Sequence, residues 1–229
     1  MKKFTALLII LLGLMLNPAQ AVLTIEITKG VDVGIPIAIV PFSWNGAPVA
    51  GESMTKLIEA DLTRSGRFDS IPQSDFLQQP HNVKQVRFKD WRLIKTDYLV
   101  LGSIQQTGAT MYTVKFQLMD VFKGSTMTGY QYTVQRTKLR NVAHQISDII
   151  YEKLTGEKGA FNTRIAYVTV EKTKKGRRFL LQVADSDGFN PQTILDSHQP
   201  LMSAAWSPDA RKLAYVSFEK KRSMIYIQR

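Results

Sequence analysis

The residue types that most often carry chemistry are few in these 229 residues and poorly grouped. The three histidines, His81, His144 and His198, stand isolated along the chain. His144 falls between Val142 and Ile146 in a stretch of helical periodicity. A histidine held by a core partner is the ordinary reading there, ahead of a base or a ligand. The run Asp185-Ser-Asp-Gly188 begins as a calcium loop does, but such a loop needs further oxygen ligands and a Glu at its twelfth place. Counted from Asp185, the fifth place holds Phe189 and the twelfth Asp196. An Asp-Gly turn between strands is the better reading. No Gly-x-Ser-x-Gly elbow, Gly-x-x-x-x-Gly-Lys phosphate loop or His-Glu-x-x-His pair occurs. No catalytic, cofactor-binding or metal-ligating residue is assigned, and the chain is not expected to be an enzyme.

The elements that would position any site are clearer. Ser203-Ala-Ala-Trp-Ser-Pro-Asp209 reads as a strand entering a tight turn, with a second strand after it. Pro208 presets φ for the turn, and the Asp209 side chain can bond the backbone that follows it. That second strand has an earlier copy: Arg164-Ile-Ala-Tyr-Val-Thr-Val-Glu-Lys172 matches Lys212-Leu-Ala-Tyr-Val-Ser-Phe-Glu-Lys220, 48 positions later. Phe179-Leu-Leu-Gln-Val183 and Ser223-Met-Ile-Tyr-Ile227 match at an offset of 44. Propeller blades of four strands repeat every ~40–50 residues, so this is a blade period. Trp206 and the pair Tyr167 and Tyr215 could line a binding surface, but their repeat positions favour packing within blades. The first copy lacks the Trp-Ser-Pro-Asp strand and the second stops at Arg229. We read the start of an all-β propeller, incomplete, with Ile165, Tyr167, Leu213 and Tyr215 on open apolar faces.

Ahead of the repeat, Pro36-Ile-Ala-Ile-Val-Pro-Phe42 is wholly apolar, as a strand buried on both faces is. Met54, Leu57, Ile58, Asp61 and Leu62 keep helical spacing, with Ser53 placed to cap and Gly66 to end the helix. Phe68 to Ile71 reads as a strand, Ser74 to Gln79 as one or two helical turns stopped by Pro80, and Phe88 to Leu93 as a short helix. Asp97 to Gly102 is a buried strand. Tyr112 to Leu118 and Thr126 to Val134 form a hairpin about Lys123-Gly124. Val142, Ile146, Ile149, Ile150 and Leu154 make the core stripe of a closing helix ended by Gly156. This order predicts an α/β domain with a mixed sheet. The expected organisation is a signal peptide over 1–21, the α/β domain over 22–156, a linker over 157–163 and one to two blades over 164–229.

Met1-Lys-Lys-Phe, an apolar run to Leu16, then Asn17-Pro18 and Ala19-Gln-Ala21 have the three-part layout of a cleaved secretory signal, with the cut after Ala21. The apolar run is short for a bilayer span, which needs ~20 residues. No cysteine is present, so there is neither a disulfide framework nor a lipoprotein anchor. The net charge of +11 falls to +9 when Lys2 and Lys3 leave with the signal. The bases are scattered except for Lys172, Lys174, Lys175, Arg177 and Arg178, which read as a solvated hairpin loop. No nucleic acid partner is expected.

Three features together resemble one known family. They are the signal peptide with its small α/β domain, Leu154-Thr-Gly-Glu-Lys-Gly-Ala-Phe-Asn-Thr-Arg-Ile-Ala-Tyr167, and Gln199-Pro-Leu-Met-Ser-Ala-Ala-Trp-Ser-Pro-Asp209. They closely resemble the TolB family of the bacterial Tol-Pal envelope system, over essentially the whole chain. The resemblance implies a non-enzymatic periplasmic interaction protein without cofactor, connecting inner-membrane Tol proteins with the outer-membrane lipoprotein Pal. It implies roles in outer-membrane integrity and in envelope constriction during cell division. It also implies that the mature N-terminus binds TolA by strand addition, here through Val22, Leu23, Thr24, Ile25, Glu26, Ile27, Thr28, Lys29, Gly30, Val31, Asp32 and Val33. Alternation at Leu23, Ile25 and Ile27 suits a strand added to a sheet edge. The Pal-binding surface lies largely on later blades in that family, so no Pal-contacting residue is assigned.

Two other readings stay open: an exported hydrolase whose catalytic part lies beyond Arg229, and a ligand-binding propeller. Further Trp-Ser-Pro-Asp blades followed by a stop would separate the interaction protein from the hydrolase. Open blade edges favour intermolecular pairing. Limited proteolysis is accordingly expected to trim the chain to a fragment ending between 156 and 163, and protection of the Tyr167 and Tyr215 strands in a monomer would refute this.

Overall fold

The computed structural model describes residues 34–46, 53–174 and 176–229. The signal segment and the expected strand at Leu23 to Ile27 lie outside the described residues. The first part is a mixed six-stranded sheet. Its strands are β1 (Ile35–Ile39), β2 (Ser43–Asn45), β3 (Phe68–Ser70), β4 (Tyr98–Gln106), β5 (Met111–Asp120) and β6 (Ser125–Gln135). The order is β3-β1-β4-β5-β6, with β2 pairing on β4. β1 runs parallel to β3 and β4, while β4, β5 and β6 are antiparallel neighbours.

Helices cover both faces of the sheet at its central strands β1 and β4, which are apolar on both sides. Ile37 and Ile39 point to one side of β1 and join α1 (Met54–Arg64) and α3 (Leu139–Thr155) in one core. Ala38 and Val40 point to the other side and pack with Trp91 of the short α2 (Phe88–Leu93). Gly66 and Gly156 follow α1 and α3 with φ of 71° and 79°, the left-handed conformation that side chains disfavour. Ser53 sits at the start of α1, but its side chain makes no cap; its carbonyl accepts the Leu57 amide at 3.0 Å. The helix expected over Ser74 to Gln79 is only a 3₁₀ turn, Gln73–Asp75, with Phe76 already extended. Between Pro72 and Pro80 there is too little chain to offset the cost of helix nucleation.

Two three-stranded antiparallel sheets follow. One contains β7 (Arg164–Thr173), β8 (Gly176–Asp185) and β9 (Gln192–Ser197). The other contains β10 (Leu201–Trp206), β11 (Leu213–Ser217) and β12 (Met224–Gln228). These are successive propeller-type sheets that do not close on themselves. Between β10 and β11 the Ser207 amide reaches the Lys212 carbonyl at 2.8 Å, and Asp209 accepts the Arg211 amide at 3.1 Å, so the turn forms as its residues predict.

The two sheets stack, and this changes the expected exposure. Leu213 and Tyr215 are not open: they are buried against Ala166, Val168, Leu181 and Val183 of the first sheet. Their repeat equivalents Ile165 and Tyr167 lie on the opposite side of the first sheet from that core, and Ile165 is 40% exposed. A propeller sheet packs its two faces against different neighbours, so equivalent positions meet different surroundings when only one neighbour is there. Leu213→Ala should cost about 2–5 kcal/mol and Ile165→Ala less than about 1 kcal/mol in urea unfolding. Equal losses would show that the sheets do not stack in solution.

Candidate functional site

The polar residues that break the apolar stripes of α1 and α3 find one another. Asp61 is 1% exposed and His144 2%. His144 Nδ1 lies 2.6 Å from Asp61 Oδ2, and Arg64 donates to Asp61 Oδ1 at 2.6 Å. On its other side, His144 Nε2 faces Asp187 Oδ2 at 3.7 Å. Asp187 belongs to the turn between β8 and β9, so the contact reaches from the α/β core into the first blade sheet. Arg140, one turn before His144 on α3, pairs with Asp187 and approaches Asp185 at 3.6 Å. Its guanidinium also covers the Phe189 ring at 3.9 Å from the centroid.

Backbone contacts hold the same seam. The Asp148 carboxylate accepts the amides of Phe161 and Asn162, at 2.7 and 3.2 Å. Ser186 donates its hydroxyl to the Phe161 carbonyl at 2.6 Å and its amide to the Thr163 carbonyl at 3.1 Å. Beside the seam opens a cleft of about 1010 Å³, lined by Phe42, Trp44 and Met54 on one side and Arg164, Asp185 and Phe189 on the other. It has both apolar and cationic walls.

His144, expected to be a satisfied structural histidine, is the centre of this network. Asp185-Ser-Asp-Gly188 is the expected turn, with the Gly188 amide on the Asp185 carbonyl at 2.8 Å. Its carboxylates nevertheless do more than turn the chain. Ligand atoms of His144, Asp185 and Asp187 lie within 4.8 Å of one another, a spacing a cation could use. Arg140 already provides positive charge there. His81 and His198 stay far from the cluster: His81 lies in the loop before α2, and His198 Nδ1 lies 3.4 Å from the Arg177 carbonyl. Trp206 packs in the inter-sheet core with Tyr215, while Tyr167 is half-exposed outside it. Sequence reasoning missed Arg140 and Phe189. The available signal was the reciprocal one, a lone acid and a lone histidine on the core stripes of two helices. The segment 22–33 lies outside the described residues.

Burial pulls the His144 pKa down, but the Asp61 hydrogen bond and the charges of Asp61 and Asp187 outweigh it against the opposition of Arg140, and the pKa is raised. A raised histidine pKa gives stability that is complete below the unfolded value of about 6.5 and is lost as pH climbs through the folded value. Thermal unfolding followed from about pH 6 to about pH 8 should therefore show falling stability, and His144→Gln should flatten that dependence. An unchanged slope in the variant would place the titration elsewhere.

The architecture is that of an α/β domain followed by stacked propeller sheets, joined at a buried charged seam. Family models for the TolB amino-terminal domain and the TolB beta propeller domain match residues 23–127 and 151–229. The chain belongs to the TolB family. It is 48% identical over 228 residues to the Tol-Pal system protein TolB of Nitrosococcus oceani, covering 99% of this chain and 52% of that protein. It is 47% identical to that of Thioalkalivibrio sulfidiphilus, covering 100% of this chain and 53% of the relative. The crystal structure of TolB from Acinetobacter baumannii superposes with a TM-score of 0.75 at 41% identity, over 85% of this chain and 47% of that one. The chain thus spans about half the length of the curated relatives it matches. Among the described residues no helix is long and apolar enough to cross a membrane.

Proposed function

We propose that this chain is a non-enzymatic interaction component of the Tol-Pal system, acting in the periplasm after cleavage behind Ala21. It connects inner-membrane Tol proteins, through TolA, with the outer-membrane lipoprotein Pal, and so supports outer-membrane integrity and envelope constriction in division. The observation that carries the reading is the match of both parts of the chain, α/β domain and propeller sheets, to TolB models.

In this reading residues 22–33 form the TolA-binding segment, and the propeller surface, mostly on blades after these two sheets, serves Pal. The alternation of Leu23, Ile25 and Ile27 gives a strand with one apolar face, and backbone hydrogen bonds to a partner's sheet edge would supply the affinity. Gly30 and Gly34 supply the backbone freedom that release of such a segment needs. Deleting residues 22–33 is expected to abolish capture of purified TolA while the circular dichroism and thermal unfolding of the α/β domain are retained. Undiminished capture by the deleted chain would end the assignment.

A further inference from the structure

The two propeller sheets gather exposed cations at one end. Arg164, the first residue of β7, lies 5.9 Å from the Trp206 ring, and Trp206 pairs with Leu213, the first residue of β11. Both strands therefore start at the same end. The turns that close their hairpins, β7 to β8 and β11 to β12, emerge together at the other. Ser217, at the end of β11, pairs there with Leu201, and the His198 ring meets the Arg177 carbonyl, so the chain between the two sheets also crosses this end.

That end collects cations from two separate stretches of sequence. The first hairpin brings Lys172, Lys174 and Arg177, and the second brings Lys220, Lys221 and Arg222, all exposed. Arg178 is neutralised locally: it makes a two-pronged pair with Asp196, at 2.6 and 2.9 Å, and lies 3.4 Å from Glu171. Among the described residues at this end, the acids Glu171, Asp196 and Glu219 stand against seven bases, Arg178 included. The opposite end sets Asp185, Asp187 and Asp209 beside Arg164, Arg211, Lys212 and Arg229, with no such excess of cations. The first hairpin by itself is an ordinary solvated loop. Its placement at the same end as a second basic hairpin, with the 198–200 segment touching both, makes a basic rim.

We propose that this rim is an electrostatic docking surface for an anionic phospholipid bilayer. The cations sit at the tips of convex turns, mostly as flexible lysines, which act as point charges toward a plane of mobile headgroups. A nucleic acid fits less well. The one aromatic side chain in the second turn, Phe218, is half-buried at its base, its amide on the Pro200 carbonyl at 3.2 Å, and the first turn has no aromatic among its described residues, so neither tip offers a row of rings to stack bases. The attachment is peripheral, and it leaves the cleft and the seam at the other end of β7 uncovered.

Co-sedimentation of the secreted chain with vesicles tests this, using phosphatidylcholine alone and an equal mixture with phosphatidylglycerol. Binding is expected only to the anionic vesicles and should vanish in about 1 M salt, where the screening length is ~3 Å. Lys172→Glu with Lys174→Glu, or Lys220→Glu with Lys221→Glu, should each weaken it by about tenfold, and the four together should remove it. Arg211→Glu with Lys212→Glu, at the opposite end, should leave it unchanged. Unaltered thermal unfolding of the variants excludes misfolding as the cause, and TolA capture measured in parallel reads the N-terminal segment separately. Equal binding to neutral vesicles, indifference to the four reversals, or tighter binding to a single-stranded oligonucleotide than to the anionic vesicles would overturn the proposal.

Discussion

Asp61 of α1, His144 of α3 and Asp187 of the β8–β9 turn meet where water is largely excluded, and their charges must compensate one another. A carboxylate buried to 1% exposure is tolerable because a histidine ring and Arg64 both reach it. The histidine is in turn held between two carboxylates, and the second of these is shared with Arg140. Removing one partner from such a group leaves a buried charge uncompensated, which costs about 3–5 kcal/mol in comparable cases. The positions of α1, α3 and the first blade sheet are therefore mutually dependent. The cleft beside them is lined by the same three elements together with Phe42, Trp44 of β2 and Ile104 of β4.

The seam also accounts for how a repeat is attached to a domain that is not part of it. Propeller sheets ordinarily satisfy both faces and both edges with their own kind. Here the β8–β9 turn of the first sheet is drawn to α3 by ion pairs and to the connector by Ser186, and the connector in turn packs Phe161 on Tyr151 of α3 at 5.7 Å. The connector between α3 and β7 is thus tied down along its length by Asp148 and by that turn.

Within the sheets, sequence equivalence and physical equivalence part company. Tyr215 stacks on Tyr226 at 5.8 Å and is buried, whereas Tyr167 has no place in the core between the sheets. The two tyrosines occupy the same repeat position. What differs is which face has a sheet packed on it. The same stacking brings two basic hairpins, more than forty residues apart, to one end of the pair.

Much of the chain was legible from its residues alone, because local patterns have local causes. The wholly apolar β1, the stripes of α1 and α3, the glycines that end them, the hairpin at Lys123-Gly124 and the turn at Pro208-Asp209 follow from periodicity and φ preferences. The repeat and the TolB resemblance were likewise carried by runs of adjacent residues. The edge strands β2 and β9 were not foreseen, since each is short and pairs on only one side. Of the one or two helical turns expected after Pro72 a single 3₁₀ turn forms, because the seven residues between Pro72 and Pro80 are too few to offset helix nucleation. Nor did the sequence pair Asp61 with His144, 83 positions away, or bring Asp187 and Arg140 to them. Periodicity says that a side chain faces inward, and only the packing of α1, α3 and the first blade sheet decides which inward-facing charges meet.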